Sequence, residues 1–270
     1  MGNLIRMDLF KLRKTKMVFI FAGIIFVVAI LMPVLGKIFA GILLNIVKTT
    51  GDGQAIAEAT VILDEYQKPY LLSDVFRSPF GGMSMLWMLV FISVSVFSYM
   101  DIANGYVKNI AGQLPTRGHL AISKMIVIYL HNFGLMLVGM LGSFIGYGVT
   151  RGINVDGDIA AGLLEFFLKF LLAGGLSALL LLFAAGLRQK TLAIVASVVL
   201  SMGLLDIVYF PLSFALGKLF RTEVNIAPYA PDQMLTATKI NVWAALAEGV
   251  LLTVLFLLLT IRRVNKKDVQ

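Results

Sequence analysis

Six stretches of the chain are long enough and apolar enough to cross a bilayer, and this feature constrains the fold more than any other. A helix needs about 20 mostly apolar residues to cross a hydrocarbon core ~30 Å thick. None of the stretches alternates apolar with polar residues, as barrel strands do, so they are predicted to be helices. They are residues 17–36, 82–100, 121–148, 160–187, 191–215 and 242–261. The sequence therefore predicts an all-α integral membrane protein with six transmembrane helices.

The composition excludes several classes of protein. Only 14% of the residues are charged, whereas a soluble domain has about 25%. The chain has no Cys and only two His, which lie apart at His119 and His131, so no thiolate or His-rich metal site is expected. Phosphate-binding loops, zinc-protease motifs and nucleophile elbows are absent from the sequence. No enzymatic activity, cofactor or metal is therefore predicted.

The distribution of Lys and Arg predicts the orientation of the helices. If the N-terminus lies inside, the inner segments carry fourteen of the 23 cations but only three of the 15 acids. Such an excess of cations in short inner segments is typical of cytoplasmic loops. The sequence thus predicts that both termini are cytoplasmic. The net charge of +8 is explained by this topology, and no nucleic-acid partner is predicted.

The chain is predicted to form a single transmembrane domain over residues 1–270. Residues 1–16 are expected to form an interfacial helix, 17–261 the six-span bundle, and 262–270 a cytoplasmic tail. The interfacial helix is predicted because Ile5, Leu9 and Leu12 fall on one helical stripe, with Arg6 and Arg13 beside it, which suits a helix lying on the inner membrane surface. The alternative is a basic flank that only sets the topology.

The connection between spans two and three, residues 101–124 (DIANGYVKNIAGQLPTRGHLAISK), is unusually structured for a loop. Span two is predicted to continue as a helix to Ile110, and Gly112 and Pro115 then break it. Thr116 is a plausible cap for the helix that becomes span three. A helical projection of this kind could transmit motion from a soluble partner into both spans.

The residues of this connection resemble the first cytoplasmic loop of type-2 ABC transporter permeases. The matching residues are Gly105, Lys108, Asn109, Pro115, Arg117 and Lys124. Asp101 stands where many such permeases have Glu, so the carboxylate is kept. The resemblance covers the whole chain, through the six spans, the basic N-terminal helix, the extended outer segment after span one and the short basic tail. It is closest to small bacterial subunits that handle peptides, including lantibiotic-immunity permeases.

The resemblance implies a permease subunit of the bacterial cell membrane that has no ATPase of its own. Two copies, identical or paralogous, would pair with two separate ATP-binding subunits and export amphipathic peptides, antimicrobial or bacteriocin-like, or similar amphiphiles. The expected ATPase-coupling residues are Asp101, Gly105, Lys108, Asn109, Pro115 and Arg117. The alternative for the loop is an ordinary topogenic connection without a coupling role. The alternative functions are a secondary transporter and a membrane assembly protein that transports nothing.

Polar residues near the middle of span three are candidates for contact with a substrate. His131 and Asn132 lie about 10 residues, or ~15 Å, into this span. Ionisable residues at such depth face protein or water. They could contact a substrate or a proton, or they could make interhelical hydrogen bonds.

Four further charges are predicted to form one layer near the outer side of the bundle: Glu165, Lys169, Asp206 and Glu248. Lys169 is expected to pair with Asp206 or Glu248, because a lone charge in the membrane is costly. Glu165 stands four residues before Lys169, a spacing that permits a pair on one helix. The layer could line a path for substrate or lock the helices together.

Overall fold

The computed structural model describes residues 1–50, 53–81, 83–103, 105, 118–222 and 225–266, which are almost entirely helical. The helices are α1 Gly2–Lys14, α2 Lys16–Thr50, α3 Gly53–Gln67, α4 Leu72–Arg77, α5 Ser84–Ala103, α6 Gly118–Thr150, α7 Ile159–Leu181, α8 Lys190–Ser201, α9 Asp206–Phe220, α10 Pro231–Thr236 and α11 Val242–Lys266. A π-helical turn, Leu182–Gly186, continues α7, and a 3₁₀ turn, Ala227–Tyr229, precedes α10. Strands β1 (Tyr70–Leu71) and β2 (Ile153–Asn154) pair in parallel.

Five of the described helices are long and apolar enough to cross a membrane: α2, α5, α6, α7 with its π-helical turn, and α11. Helices α8 and α9 form a sixth span only if the pair, bent by 64°, is counted as one. The prediction of an all-α chain with long, apolar, membrane-compatible helices is confirmed.

Helix α5 lies at the centre of the bundle. Its side chains Trp87, Val90, Phe91 and Val94 are 1% exposed or less, because α5 packs against α2, α6, α7 and α8. The Trp87 ring meets Phe80 edge-on, with their centroids 4.7 Å apart. A helix that is apolar on every side is stable only when it is buried in this way.

Four longer helices pack in two pairs around this centre, α2 along α6 and α7 along α11. The α2–α6 pair requires glycine where the two helices touch. A Cβ atom on Gly142 would lie 2.8 Å from the Phe26 carbonyl oxygen, and one on Gly146 would lie 2.7 Å from that of Ile30. Small residues at this spacing let two helix backbones approach closely.

The first span is longer than predicted. Helix α2 does not end at Gly36 but continues to Thr50. Lys37 follows the predicted end of the span, and its ammonium donates to the Thr150 carbonyl oxygen at 2.5 Å. Because this contact satisfies the cation within the protein, the helix can continue through it.

The fifth span is not the continuous helix predicted over residues 191–215. Helix α8 ends at Ser201, and α9 begins at Asp206. Between them Gly203 has a φ of +67°, which lies in the left-handed region and cannot belong to a right-handed helix. The prediction was wrong because the segment is apolar on both sides of this turn.

Helix α1 packs on α6, whereas its apolar stripe was predicted to lie on the inner membrane surface. Leu4 and Asp8 are buried, and Ile5 and Leu12 lie against the core. Leu9, the remaining residue of the predicted stripe, is 37% exposed. The contact face therefore follows the i, i+4, i+8 positions from Leu4, with a carboxylate at its middle.

Both ends of the described chain lie at the same end of the bundle, which we name the α1 end. The start of α6 lies there against the last turns of α11, since a Cβ on Gly118 would be 2.9 Å from Ile261. Helices α3, α4 and α10 and both strands lie at the opposite end, which we name the α3 end. The cytoplasmic orientation of the α1 end stays a prediction.

Candidate functional site

Four charged side chains meet at the α1 end and form what we name the ion cluster: Asp8, Lys11, Asp101 and Lys124. Asp101 is its centre. Lys11 donates to one oxygen of the Asp101 carboxylate at 2.8 Å, and Lys124 donates to the other. The Lys124 ammonium is also 3.9 Å from Asp8. The cluster thus joins the end of α5 to α1 and to the second turn of α6.

The ion cluster is largely removed from solvent. Asp8 is 2% exposed and Lys124 is 4% exposed. Ser123 donates to the Asp8 carboxylate at 2.8 Å, and the Lys124 ammonium lies 4.2 Å from the centroid of the Phe97 ring. Burial raises the pKa of Asp8 above its ordinary value of 3.8, and the nearby Lys124 ammonium opposes that rise. Removing one partner from a buried pair typically costs about 3–5 kcal/mol.

The cluster stands at the base of the connection between α5 and α6. Asp101 lies two residues before the end of α5. Gly105 follows with a φ of +64°, and its N–H donates to the Ile102 carbonyl oxygen at 3.1 Å. The prediction that this helix runs unbroken to Ile110 is therefore wrong, because a left-handed residue interrupts it.

The rest of the predicted coupling segment lies outside the residues that the structure describes. These positions are Lys108, Asn109, Gly112, Pro115, Thr116 and Arg117. The coupling helix and the coupling roles of all these residues stay predictions. What the described residues provide is a base: a displacement of the connection would act on α1, α5 and α6 together.

His131 and Asn132 are buried between helices. The His131 ring is 2.8 Å from the hydroxyl of Ser93 on α5, and the Asn132 amide donates to Ser177 on α7 at 2.8 Å. Both side chains thus make the interhelical hydrogen bonds given as one alternative. Contact with a substrate stays a prediction.

Two of the four charges predicted in the outer layer, Glu165 and Lys169, lie together on α7. Glu165 is 3.4 Å from Arg77 of α4. Lys169 is fully buried, and its ammonium donates to the Ala237 carbonyl oxygen at 2.6 Å. Glu165 attracts Lys169 electrostatically, but the described residues contain no ion pair between them.

The other two charges, Asp206 and Glu248, belong to a separate group around Tyr209. The Tyr209 hydroxyl donates to Asp232 at 2.7 Å, and Asp206 accepts a hydrogen bond from Gln233 at 3.0 Å. Glu248 is repelled by the Asp232 carboxylate, and burial raises the pKa of Asp232.

The predicted ion pair of Lys169 with Asp206 or Glu248 is wrong for the part of the chain that the structure describes. The depth of Asp206 was counted along a straight fifth span. The turn at Gly203 instead places Asp206 at the start of α9. The four charges therefore do not form one network of ion pairs in the described residues, and their common depth stays a prediction.

Sequence reasoning missed the positions that complete these sites. Asp8 could have been found, because it interrupts an apolar stripe four residues after Leu4 and four before Leu12. Arg77 contacts Asp74, Asp158 and Glu165. No local pattern reveals the last two contacts, since those partners are more than 80 residues away.

No protein-family model, curated protein or solved structure matches the chain.

Proposed function

We propose that the chain is the membrane-spanning permease subunit of an ATP-driven exporter in a bacterial cell membrane. It would move amphipathic peptides or similar amphiphiles and work with a second permease copy and two separate ATP-binding subunits. ATP hydrolysis is assigned to those partners, so the chain needs no catalytic site of its own. The α1 end would face the cytoplasm and the ATPases.

The ion cluster is the observation that carries this proposal. An exporter without its own ATPase needs a contact that converts movement of a soluble partner into movement of its helices. In this chain Asp101 is held by Lys11 and Lys124 at the base of the connection that resembles the permease loop. Because Lys124 is buried and Asp101 and Lys11 are only partly exposed, pulling the connection away from α1 or α6 would be costly.

The proposed role of each residue in and near the ion cluster follows from the helices that it joins. Asp101 would fix the end of α5, and Lys124 would fix the start of α6. Lys11 would bring in α1, which lies beside the connection. Gly105 would set the direction in which the connection leaves α5, since its left-handed φ makes a sharp turn there. Lys108 and Arg117 would face the ATPase.

Purification of the tagged chain from its native membranes tests the proposal. A soluble ATPase should co-purify, and amphipathic peptides should stimulate its ATP hydrolysis. Lys11→Gln leaves Asp101 with one cation instead of two, so stimulated hydrolysis should fall several-fold. Arg13→Gln is the matched control, because Arg13 is exposed on the same helix. Purification without any ATPase would refute the proposal.

Substitutions of Gly105 test whether its left-handed backbone conformation, rather than the room for a side chain, matters for activity. A Cβ on Gly105 would meet nothing within 4 Å among the described residues, so with respect to them the cost of a side chain is confined to the backbone. Asn tolerates left-handed φ, whereas a β-branched residue does not. Gly105→Asn should keep peptide-stimulated hydrolysis, and Gly105→Val should lose most of it. Equal activity of both variants would remove the turn from the mechanism.

One observation favours a second candidate, a secondary transporter. Such proteins bind substrate and ions where transmembrane helices are broken, and α8 and α9 form a candidate span bent by 64°. The two candidates differ in their energy source. Uptake into inside-out vesicles that needs ATP supports the exporter. Uptake that needs only an ion gradient supports the secondary transporter.

A further inference from the structure

Helix α9 has few contacts within its own chain. Among the described residues, three side-chain hydrogen bonds hold it. Tyr209 donates to Asp232 at 2.7 Å, and Ser213 accepts from the backbone of Ile226 at 3.1 Å. Asp206 accepts from Gln233 at 3.0 Å. Beyond these, it packs mainly on the 3₁₀ turn Ala227–Tyr229. Two of its aromatic side chains, Phe210 and Phe214, are 79% and 72% exposed. A helix with this much uncovered apolar surface is covered by something outside the chain.

Helix α9 is exposed on more than one side. One of its exposed faces carries a charge at each end and aromatic rings between them, and we name this face the α9 stripe. The stripe consists of Asp206, Phe210, Phe214 and Lys218 at intervals of four residues, so that the four side chains form one ridge. The ridge borders an open groove of about 940 Å³, whose other wall is formed by residues near Asn225. Its carboxylate and its ammonium lie ~18 Å apart along the helix.

The α9 stripe is complementary to itself when it is reversed. If two α9 helices pack antiparallel, Asp206 of each copy meets Lys218 of the other, and Phe210 meets Phe214. A two-fold interface requires such self-complementarity, because the same patch serves both copies. Neither Asp206 nor Lys218 belongs to an ion pair in the described part of the chain. Both charges are therefore available to a second copy.

The bend between α8 and α9 makes this arrangement compatible with a membrane. If α8 runs along the bilayer normal, α9 at 64° to it lies closer to the membrane plane than to the normal. Two subunits in a bilayer are related by a two-fold axis along the normal. That axis reverses the in-plane component of α9, which is the larger one, so two copies cross closer to antiparallel than to parallel. Lipid could cover Phe210 and Phe214 but would give neither Asp206 nor Lys218 a partner of opposite charge.

We propose that two copies of this chain pair through their α9 stripes, antiparallel, with two Asp206–Lys218 ion pairs flanking two Phe210–Phe214 contacts. The inference rests on the proposed function for the presence of a second copy, and it adds the surface that the copy uses.

Disulfide cross-linking in membranes tests the pairing directly, because the native chain has no Cys. Two differently tagged copies are co-expressed, one with Phe210→Cys and the other with Phe214→Cys, and then oxidised. A disulfide between the two tags is expected. Leu212→Cys in both copies is the matched control, because Leu212 is exposed on the opposite face of the same helix. A yield no higher than that of the control overturns the proposal.

Charge reversal provides a second test that does not depend on cysteine geometry. Asp206→Lys alone places like charges at both ends of the pair and should lower recovery of the two-tag complex several-fold, as should Lys218→Asp alone. The double variant restores both ion pairs and should recover the complex. Asp206 also bonds Gln233 in its own chain. A loss that the second substitution does not reverse would therefore belong to that internal contact and would overturn the proposal.

These outcomes are separable from those of the proposed function. A chain that cross-links through α9 but purifies without an ATPase keeps the interface and refutes the exporter. A chain that purifies with an ATPase but shows no cross-link between its own copies keeps the exporter and refutes the interface. Cross-linking to a paralogous chain alone also refutes it.

Discussion

Asp8 is the residue at which α1 departs most from an ordinary amphipathic helix. Its carboxylate is buried at the centre of the face that packs on α6, where Leu4 and Leu12 would predict another apolar side chain. Lys124 and Ser123 are its nearest polar partners. A buried carboxylate between two apolar neighbours fixes the register of α1 on α6, because sliding the helix by one turn would leave the charge unpartnered.

The raised pKa of Asp8 predicts the sign of a pH effect on stability. Since its pKa is higher in the folded chain than its ordinary value of 3.8, the folded state holds more protons between those two values. The stability that this proton adds is present below the unfolded pKa and is lost as pH rises through the folded pKa. Each unit of pKa corresponds to roughly 1.4 kcal/mol.

Denaturant unfolding of the detergent-solubilised wild type and Asp8→Asn, from about pH 4 to about pH 7, measures this effect. The unfolding free energy of the wild type minus that of Asp8→Asn should fall as pH rises and then become constant. A difference that rises with pH would mean that attraction to Lys124 outweighs the burial of Asp8.

The effects of substitutions at Lys169 and at Asp206 on stability are expected to be independent. Because no ion pair joins it to Asp206, Lys169→Met and Asp206→Asn should act independently. Their effects on the unfolding free energy should add to within ~0.5 kcal/mol. Denaturant unfolding of the wild type, both single variants and the double variant measures the coupling. The rescue expected from an ion pair, in which Asp206→Asn restores the stability of Lys169→Met, should not occur.

At the scale of helices, the lengths of the apolar segments predicted most helices well, because the thickness of a bilayer sets the length of a helix that crosses it. Four of the six predicted segments correspond closely to single helices, and the first differs only in continuing beyond Gly36. The broken fifth segment could not be predicted from hydropathy, since α8 and α9 are both apolar. Gly203 followed by Asp206 was the available signal for the turn. The partners of Asp101 could not be predicted in the same way, because contacts between distant helices leave no local periodicity.

The contact between α6 and α2 gives a prediction with an internal control. A Cβ on Gly146 would lie 2.7 Å and 3.0 Å from backbone carbonyl oxygens of α2. Backbone cannot move aside as a side chain can, so Gly146→Ala should lower the unfolding free energy by about 1–3 kcal/mol. Gly134→Ala, in the same helix, would meet nothing within 4 Å. It should be neutral or stabilise the chain by up to ~1 kcal/mol. Denaturant unfolding compares the two, and similar losses would mean that helix separation is not the cause.

At the scale of the whole molecule, α1, the base of the connection and the last turns of α11 share one end. The two short strands and helices α3, α4 and α10 form a small polar layer at the other. In that layer the Arg151 guanidinium lies 3.9 Å from the centroid of the Tyr66 ring, and Tyr70 stacks on Tyr147 at 3.8 Å. The molecule therefore has two different faces for a membrane to separate.

Cysteine labelling of intact cells tests which face is outside. Gln54→Cys and Thr238→Cys, exposed at the α3 end, should react with a membrane-impermeant maleimide. Lys14→Cys at the α1 end and Gly112→Cys in the connection should react only after the cells are permeabilised. The excess of Lys and Arg at the α1 end is the reason for this expectation. The opposite labelling pattern would invert the topology and remove the cytoplasmic contact with an ATPase.

The ion cluster has an electrical consequence. With both carboxylates ionised, its two acids and two cations cancel, so the cluster carries no net charge. Moving one elementary charge through 100 mV of transmembrane potential involves ~2.3 kcal/mol. Moving this neutral group through the same field involves almost no electrical work. The ion cluster itself is therefore expected to add almost no voltage dependence to a conformational change that shifts the base of the connection.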